Sequence, residues 1–341
     1  MPHRSPAHRA RRHPRRSPTG ARLRVGAAAA VAIGTVLVVA SPAGAADLVI
    51  GTLGGPDVLT WWKAAVLGVV EGITEYLPVS STGHLLVTSR LLDLPSEEGS
   101  AGLEAVNTYA IAIQFGAILA VLGLFWRRFV EMLQGLVGRN ADGRQLLRTL
   151  VIAFLPSALL GVAFDRAIED ALFGPWPIVV AWVAGGLVIL ALERTGWIPD
   201  RGVDAEVGHH RLAAITTRQA LVIGLAQCAA LWPGTSRSLA TIVGALLVGV
   251  AMPAAVEFSF LLGFATLSAA TGYKLVTDGG NLVDQFGLVD PLVGALFALV
   301  SAVLAIRWLI TYLERHDLAI FAWYRFAVAG VAVALLGTSV I

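Results

Sequence analysis

Apolar residues along this chain fall in long runs separated by short polar clusters, and the length of each run predicts the element. Six runs, at about 105–126, 149–164, 177–193, 253–273, 291–313 and 319–340, are nearly free of charge and read as helices crossing the roughly 30 Å hydrocarbon core of a bilayer. Two further apolar stretches, 58–92 and 219–250, are each split near the middle by a proline, Pro78 and Pro233. Each arm keeps only about a dozen apolar residues, too few to span. Half-length arms around a break predict re-entrant helical hairpins, whose freed backbone groups are tolerated only inside protein or a cavity.

The polar clusters between the runs set the sides. Arg127, Arg128, Arg139, Arg144 and Arg148 crowd one connection, and Arg194, Arg201, Arg211 and Arg218 another. Asp93, Glu97, Glu98 and Glu104 occupy a third that has no base, and 165–176 and 274–290 are also weighted towards acid. The positive-inside rule puts the arginine connections in the cytoplasm and the acidic ones outside. Each broken segment then enters and leaves on one side, the first from outside and the second from the cytoplasm.

Composition agrees: 56% of residues are hydrophobic and 14% charged, and the mean hydropathy is +0.74. Such a chain cannot cover a soluble domain with polar surface, so the expected class is an all-α integral membrane protein. It would have about six full spans plus two re-entrant hairpins. One cysteine, Cys228, excludes a disulfide framework and a multi-cysteine metal site. The first 25 residues hold eight arginines and no acid, followed by an uncharged run from Val25 to Ala46. Residues 1–46 thus read as a basic extension with a cleaved signal peptide or a retained signal anchor, not a nucleic-acid patch. Residues 58–341 form one membrane domain.

That domain repeats itself. Shifting by 156 positions, Gly68 meets Gly224, Glu71 meets Gln227, Tyr76 meets Trp232, Ser80 meets Ser236 and Thr82 meets Ser238. Each hairpin precedes three spans, and an odd number of crossings makes the halves, about 58–193 and 219–341, inverted. Broken helices at matching places in inverted halves point to a midplane site where the two tips meet.

The tips carry unusual chemistry for a membrane. In EGITEYLPVSSTGH, Glu71 and Glu75 lie four apart and so share a helix face. A charge at mid-bilayer costs roughly 2.5–3.5 kcal/mol on insertion scales, so two need a cation, a metal or water. Ser80, Ser81 and Thr82 offer hydroxyls at a helix start, suited to an anion or to nucleophilic attack, and His84 can carry a proton. The second tip, WPGTSRS, supplies Arg237 between Ser236 and Ser238, and a guanidinium grips phosphate oxygens bidentately. Carboxylates, hydroxyls, a proton carrier and an anion clamp fit phosphoryl transfer on a lipid-borne phosphate better than acyl transfer. Such chemistry needs charge neutralisation, commonly from a divalent cation on carboxylates.

At these two motifs, and through AIQFGAILAVLGLFWRR and VEFSFLLG, the chain resembles the bacterial undecaprenyl-diphosphate phosphatase family of the bacitracin-resistance type, over about residues 60–341. The resemblance implies an enzyme of the bacterial cytoplasmic membrane that converts undecaprenyl diphosphate to the monophosphate carrier of envelope synthesis, using magnesium or calcium. Its functional positions fall on Glu71, Glu75, Ser81, His84 and Arg237, with Ser80, Thr82, Ser236 and Ser238 around them. The chain departs from the family at Leu239, where a glycine is usual. The expected mechanism has a cation on Glu71 and Glu75 and Arg237 neutralising the diphosphate. Ser81 attacks, His84 moves protons, and the site opens outward. Water or His84 as nucleophile stays open, and the rival function is a transporter of an anionic polyprenyl lipid through the same site. The other membrane lipid-phosphatase superfamily is disfavoured, because no suitably spaced histidine follows Arg237.

Overall fold

The computed structural model describes residues 60–94, 101–195, 212–286 and 289–338, which are helical with no strand. The basic extension at 1–46 lies outside the described residues. In chain order the helices are α1 (Trp61–Tyr76), α2 (Ser81–Leu91), α3 (Ala101–Leu124), α4 (Trp126–Leu136), α5 (Ala141–Leu172), α6 (Pro175–Thr195), α7 (Thr217–Gln227), α8 (Arg237–Leu247), α9 (Met252–Phe286), α10 (Val289–Leu313) and α11 (Ala319–Gly337).

Five helical stretches among these residues are long and apolar enough to cross a membrane: Ala141–Phe164, Pro175–Thr195, Met252–Tyr273, Val289–Leu313 and Ala319–Gly337. A sixth arises only if Ile113–Leu124 and Trp126–Leu136 count as one span, and they meet at 76°. The run expected at 105–126 therefore ends in a sharp corner, and the arginines after it begin a helix rather than a loop. Along α4, Trp126, Leu133 and Leu136 are exposed beside exposed Arg127. Arg128 reaches back to Glu257 of α9 at 2.8 Å and to Glu131 at 2.9 Å. An apolar face with a basic rim suits a helix lying along the bilayer surface. Elsewhere the large exposed side chains are aliphatic and aromatic, Val162 of α5 being 86% exposed, as a lipid-facing surface requires.

The chain breaks at both prolines, Pro78 just after α1 and Pro233 after α7 has ended at Gln227 and the chain has passed through a 3-10 turn, Cys228–Leu231. Leu77, before Pro78, is forced out of helical geometry to φ −75°, ψ 149°, and Trp232, before Pro233, to φ −79°, ψ 113°. The chain then turns through a serine with positive φ and restarts as a helix at the next residue. Ser80 has φ 73°, ψ 112° and Ser236 has φ 75°, ψ 117°. Such conformations cost on the order of 1–3 kcal/mol for a non-glycine residue and persist only where the surroundings impose them. At about 1.5 Å per residue, the 16 residues of α1 and the 11 each of α2, α7 and α8 fall short of the bilayer core.

Apolar burial gives little drive once lipid replaces water, so these helices associate through close packing. Gly68 of α1 lies on the backbone of α10, where a Cβ would come 2.2 Å from the Gly294 carbonyl oxygen. Gly224 of α7 lies in the same way on α5, where a Cβ would come 2.4 Å from the Ala153 oxygen. The first arm of each hairpin is thereby seated on a long helix from the other half of the chain, α1 on α10 and α7 on α5. Helices α3 and α9 pack together, as do α6 and α11.

Candidate active site

The two tips meet. Arg237, the first residue of α8, places Nη2 2.5 Å from Oε1 of Glu75, in the last turn of α1. The other carboxylate oxygen, Oε2, accepts a short hydrogen bond from the hydroxyl of Ser81, the first residue of α2. Ser81, Glu75 and Arg237 thus form one chain across the interface, and both members of the ion pair are largely buried, at 7% and 13% side-chain exposure. Excluding water makes such a pair stronger and its disruption more costly.

Two sets of polar atoms at this junction are buried without partners. One is Nη1 of Arg237 and the other is both carboxylate oxygens of Glu71. Glu71 is fully buried one turn before Glu75 on α1, close enough for the charges of Glu75 and Arg237 to act on it. Buried charged groups left unpaired in a protein are rare and costly. A guanidinium nitrogen and a carboxyl group, neither bonded to a donor or acceptor of opposite kind, are what a phosphate with a counter-cation would satisfy.

The neighbouring hydroxyls divide their work. The hydroxyls of Ser236 and Ser238 both donate to the carbonyl of Leu77 in the first tip, at 3.4 and 2.9 Å. Ser236 Oγ also accepts from the Leu239 amide at 3.3 Å, capping α8. These two serines, expected to bind phosphate, stitch one tip to the other in this arrangement. Ser80 contributes its carbonyl, which accepts from His84 Nδ1 at 2.6 Å. Thr82 is half-buried beside Ser81.

His84 is held at both ring nitrogens. A carbonyl can only accept, so Nδ1 carries the proton, and Nε2 faces the Tyr324 hydroxyl at 2.8 Å. The ring also packs edge-on to Trp182 and parallel to Tyr324. Both nitrogens are committed, and Ser81 bonds to Glu75 instead of to the imidazole. His84 braces α2 against α11 through these contacts.

Several contributors could not be read from motifs. Trp182 donates its indole N–H to the Val79 carbonyl at 2.9 Å, and Trp232 donates its own to the Pro177 carbonyl at 3.2 Å, so each tip is pinned to α6. Tyr324 and Arg325 reach the site from α11, near the end of the chain. Tryptophans look like interface anchors in sequence, and YR inside an apolar run gave only one clue: an arginine at membrane depth rarely lacks a function. Glu257 pairs with Arg128. Gln227, the counterpart of Glu71, is buried and donates to Ser157 Oγ and, at 3.3 Å, to Thr266 Oγ1. Leu239 lines an apolar cavity of about 790 Å³ between α5, α6 and α8. Glu75, Ser81 and Arg237 take no part in that lining, so the bulk added at Leu239 is absorbed outside the polar junction.

The divalent cation expected on Glu71 and Glu75 meets a mixed donor set. Among the described residues no three carboxylate, imidazole or thiol groups converge. Glu75 is already held by Arg237 and Ser81, whereas Glu71 offers two free oxygens. Magnesium is commonly held by one or two protein carboxylates, with substrate phosphate and water completing the shell, and Glu71 fits that use.

The buried serine–carboxylate–guanidinium chain thus lies inside an all-helical protein with several candidate membrane spans. The family follows from comparison. The description "Bacitracin resistance protein BacA" matches residues 64–331, and the chain belongs to that family. A relative from Rhodospirillum rubrum named undecaprenyl-diphosphatase 2 is 45% identical over 80% of this chain and 93% of its own length. Relatives named undecaprenyl-diphosphatase from Methylibium petroleiphilum and Sorangium cellulosum are each 43% identical, covering 80% and 78% of this chain and 94% and 83% of their own lengths.

Proposed function

We propose that this chain hydrolyses undecaprenyl diphosphate to undecaprenyl phosphate and inorganic phosphate, recycling the lipid carrier of envelope synthesis. The observation that carries the reading is the Ser81–Glu75–Arg237 chain, a nucleophile bonded to a base and the base to an anion clamp.

The free Nη1 of Arg237 takes an oxygen of the terminal phosphate while Nη2 keeps Glu75 oriented. Ser81 Oγ attacks the terminal phosphorus and its proton passes to Glu75. The bond from that phosphorus to the bridging oxygen breaks, its electron pair staying on undecaprenyl phosphate, which takes the proton from Glu75. Water then attacks the phosphoserine. Glu75 receives the water proton and returns it to Ser81 Oγ as the serine–phosphate bond breaks. A divalent cation bound through Glu71 supplies charge neutralisation at the diphosphate.

The same reading extends to architecture. The hairpins α1–α2 and α7–α8 are re-entrant, and the halves 58–193 and 219–341 form an inverted repeat with the site opening outward. Support comes from the equal backbone at Ser80 and Ser236, the paired roles of Gly68 and Gly224, and helix pairings that map onto themselves when the halves are exchanged.

The test is phosphate release from undecaprenyl diphosphate by detergent-purified protein, with and without a chelator. Wild type should release phosphate and Ser81→Ala should not. Lipid transfer between leaflets with no phosphate released would instead mark a transporter.

A further inference from the structure

Arg325 lies within an apolar helix, is 0% exposed, and belongs to none of the ion pairs among the described residues. Its guanidinium binds backbone carbonyls only. Nη1 donates to Pro78 at 3.2 Å, Nη2 to Gly234 at 2.9 Å and to Ala181 at 2.9 Å, and Nε to Trp182 at 3.1 Å. Pro78 belongs to the first tip, Gly234 to the second, and Ala181 and Trp182 to α6 between them. Pro78 and Gly234 are also equivalent under the 156-residue shift that pairs Ser80 with Ser236, and each stands two residues before its positive-φ serine.

One planar fork therefore grips the same carbonyl of both tips. Broken helices expose carbonyls that have no helical partner, and in a membrane those groups must be satisfied internally. A guanidinium can serve several at once because its N–H donors radiate in fixed directions. The bond to Pro78 sets the turn that leads into Ser81. The bond to Gly234 sets the turn that leads into Arg237.

Resting on the reading that the tips form the active site, we propose that Arg325 is a positioning residue for the phosphatase reaction. It locks the two strained turns in register so that Ser81 and Arg237 face the same phosphate, and it touches no substrate itself. Its loss should act on the chemical step and leave substrate binding nearly alone.

The decisive comparison is steady-state kinetics with undecaprenyl diphosphate for wild type, Arg325→Lys and Gly185→Ala, each checked for monodisperse elution and thermal midpoint in detergent. A lysine has one nitrogen and cannot span both turns. Gly185→Ala keeps the arginine, but its new Cβ would lie 2.3 Å from Nη2 and 2.6 Å from Cζ of Arg325, displacing the fork. Both variants should lose on the order of 100-fold in kcat, the scale of a small misplacement of reacting groups, with KM within about threefold of wild type. Unchanged kcat in a folded variant would overturn the proposal. So would a raised KM with kcat preserved, which would mean that Arg325 binds the phosphate directly. If Arg325→Lys does not fold, Gly185→Ala decides by the same criterion. Ser81→Ala and Arg237→Lys are run alongside: full activity in both would refute the site itself, whatever Arg325 does.

Discussion

Glu71 and Glu75 sit one helical turn apart, yet the structure gives them opposite situations. Glu75 bonds Ser81 and Arg237 through its two oxygens, whereas Glu71 meets no hydroxyl or cation and has only Glu75 itself within side-chain reach. Removing Glu75 strands a buried guanidinium, a loss of about 3–5 kcal/mol for one partner of a buried pair. Glu75→Ala should therefore lower the thermal midpoint as well as abolish phosphate release. Glu75→Gln keeps the volume and should lose about 10²–10⁴-fold in kcat, the usual contribution of a general base. Glu71→Gln should do the reverse for stability. Without divalent cation its thermal midpoint should rise above wild type, because an unpaired buried carboxylate is relieved, while the cation needed for half-maximal activity increases. A lowered midpoint in that metal-free melt would show that Glu71 is paired after all. The spacing of these acids and the position of Arg237 were legible in sequence because rare charges stand out against an apolar background. What could not be read was which oxygen meets which nitrogen, with Glu75 holding Arg237 on one side and Ser81 on the other.

The hairpins stand or fall on how they are seated. Pro78 and Pro233 announce the breaks through local sterics, so a single sequence shows them. Close approach between halves depends on which helices become neighbours, so the packing roles of Gly68 and Gly224 emerge only in three dimensions. Gly224→Val should drive α7 off α5 and sharply reduce the monodisperse yield in detergent. Gly123→Val, at a glycine with open space around its Cβ direction, should leave that yield unchanged. Equal yields from the two would deny that the seat of α7 matters. The corner after Leu124 went unforeseen because a run of apolar residues reports length and not direction. Arg127 and Arg128 signalled the membrane boundary, while the helix that continues past it is tied to α9 through Arg128 and Glu257.

At the scale of the molecule, charge asymmetry and broken helices define an orientation. The acidic connection holding Asp93 is expected outside and the arginine-rich connection holding Arg139 inside. In a Cys228→Ser background, Asp93→Cys in intact cells should react with a membrane-impermeant maleimide, and Arg139→Cys should react only after lysis. The opposite pattern would invert the topology and turn the site towards the cytoplasm. The repeat between the halves was legible in spacing. The way they lock, through Arg325 from the last helix, was not, because it satisfies carbonyls that every residue possesses and no motif marks.

Phosphate release by the proposed route requires Ser81, Glu75 and Arg237 to act as one unit across two hairpin tips. A double-mutant cycle on kcat/KM for phosphate release, using Glu75→Gln, Arg237→Gln and the pair together, tests this most directly. The double variant should be little worse than the poorer single variant, because each change already breaks the shared unit. Losses that multiply, or single variants that retain full activity, would contradict a common site.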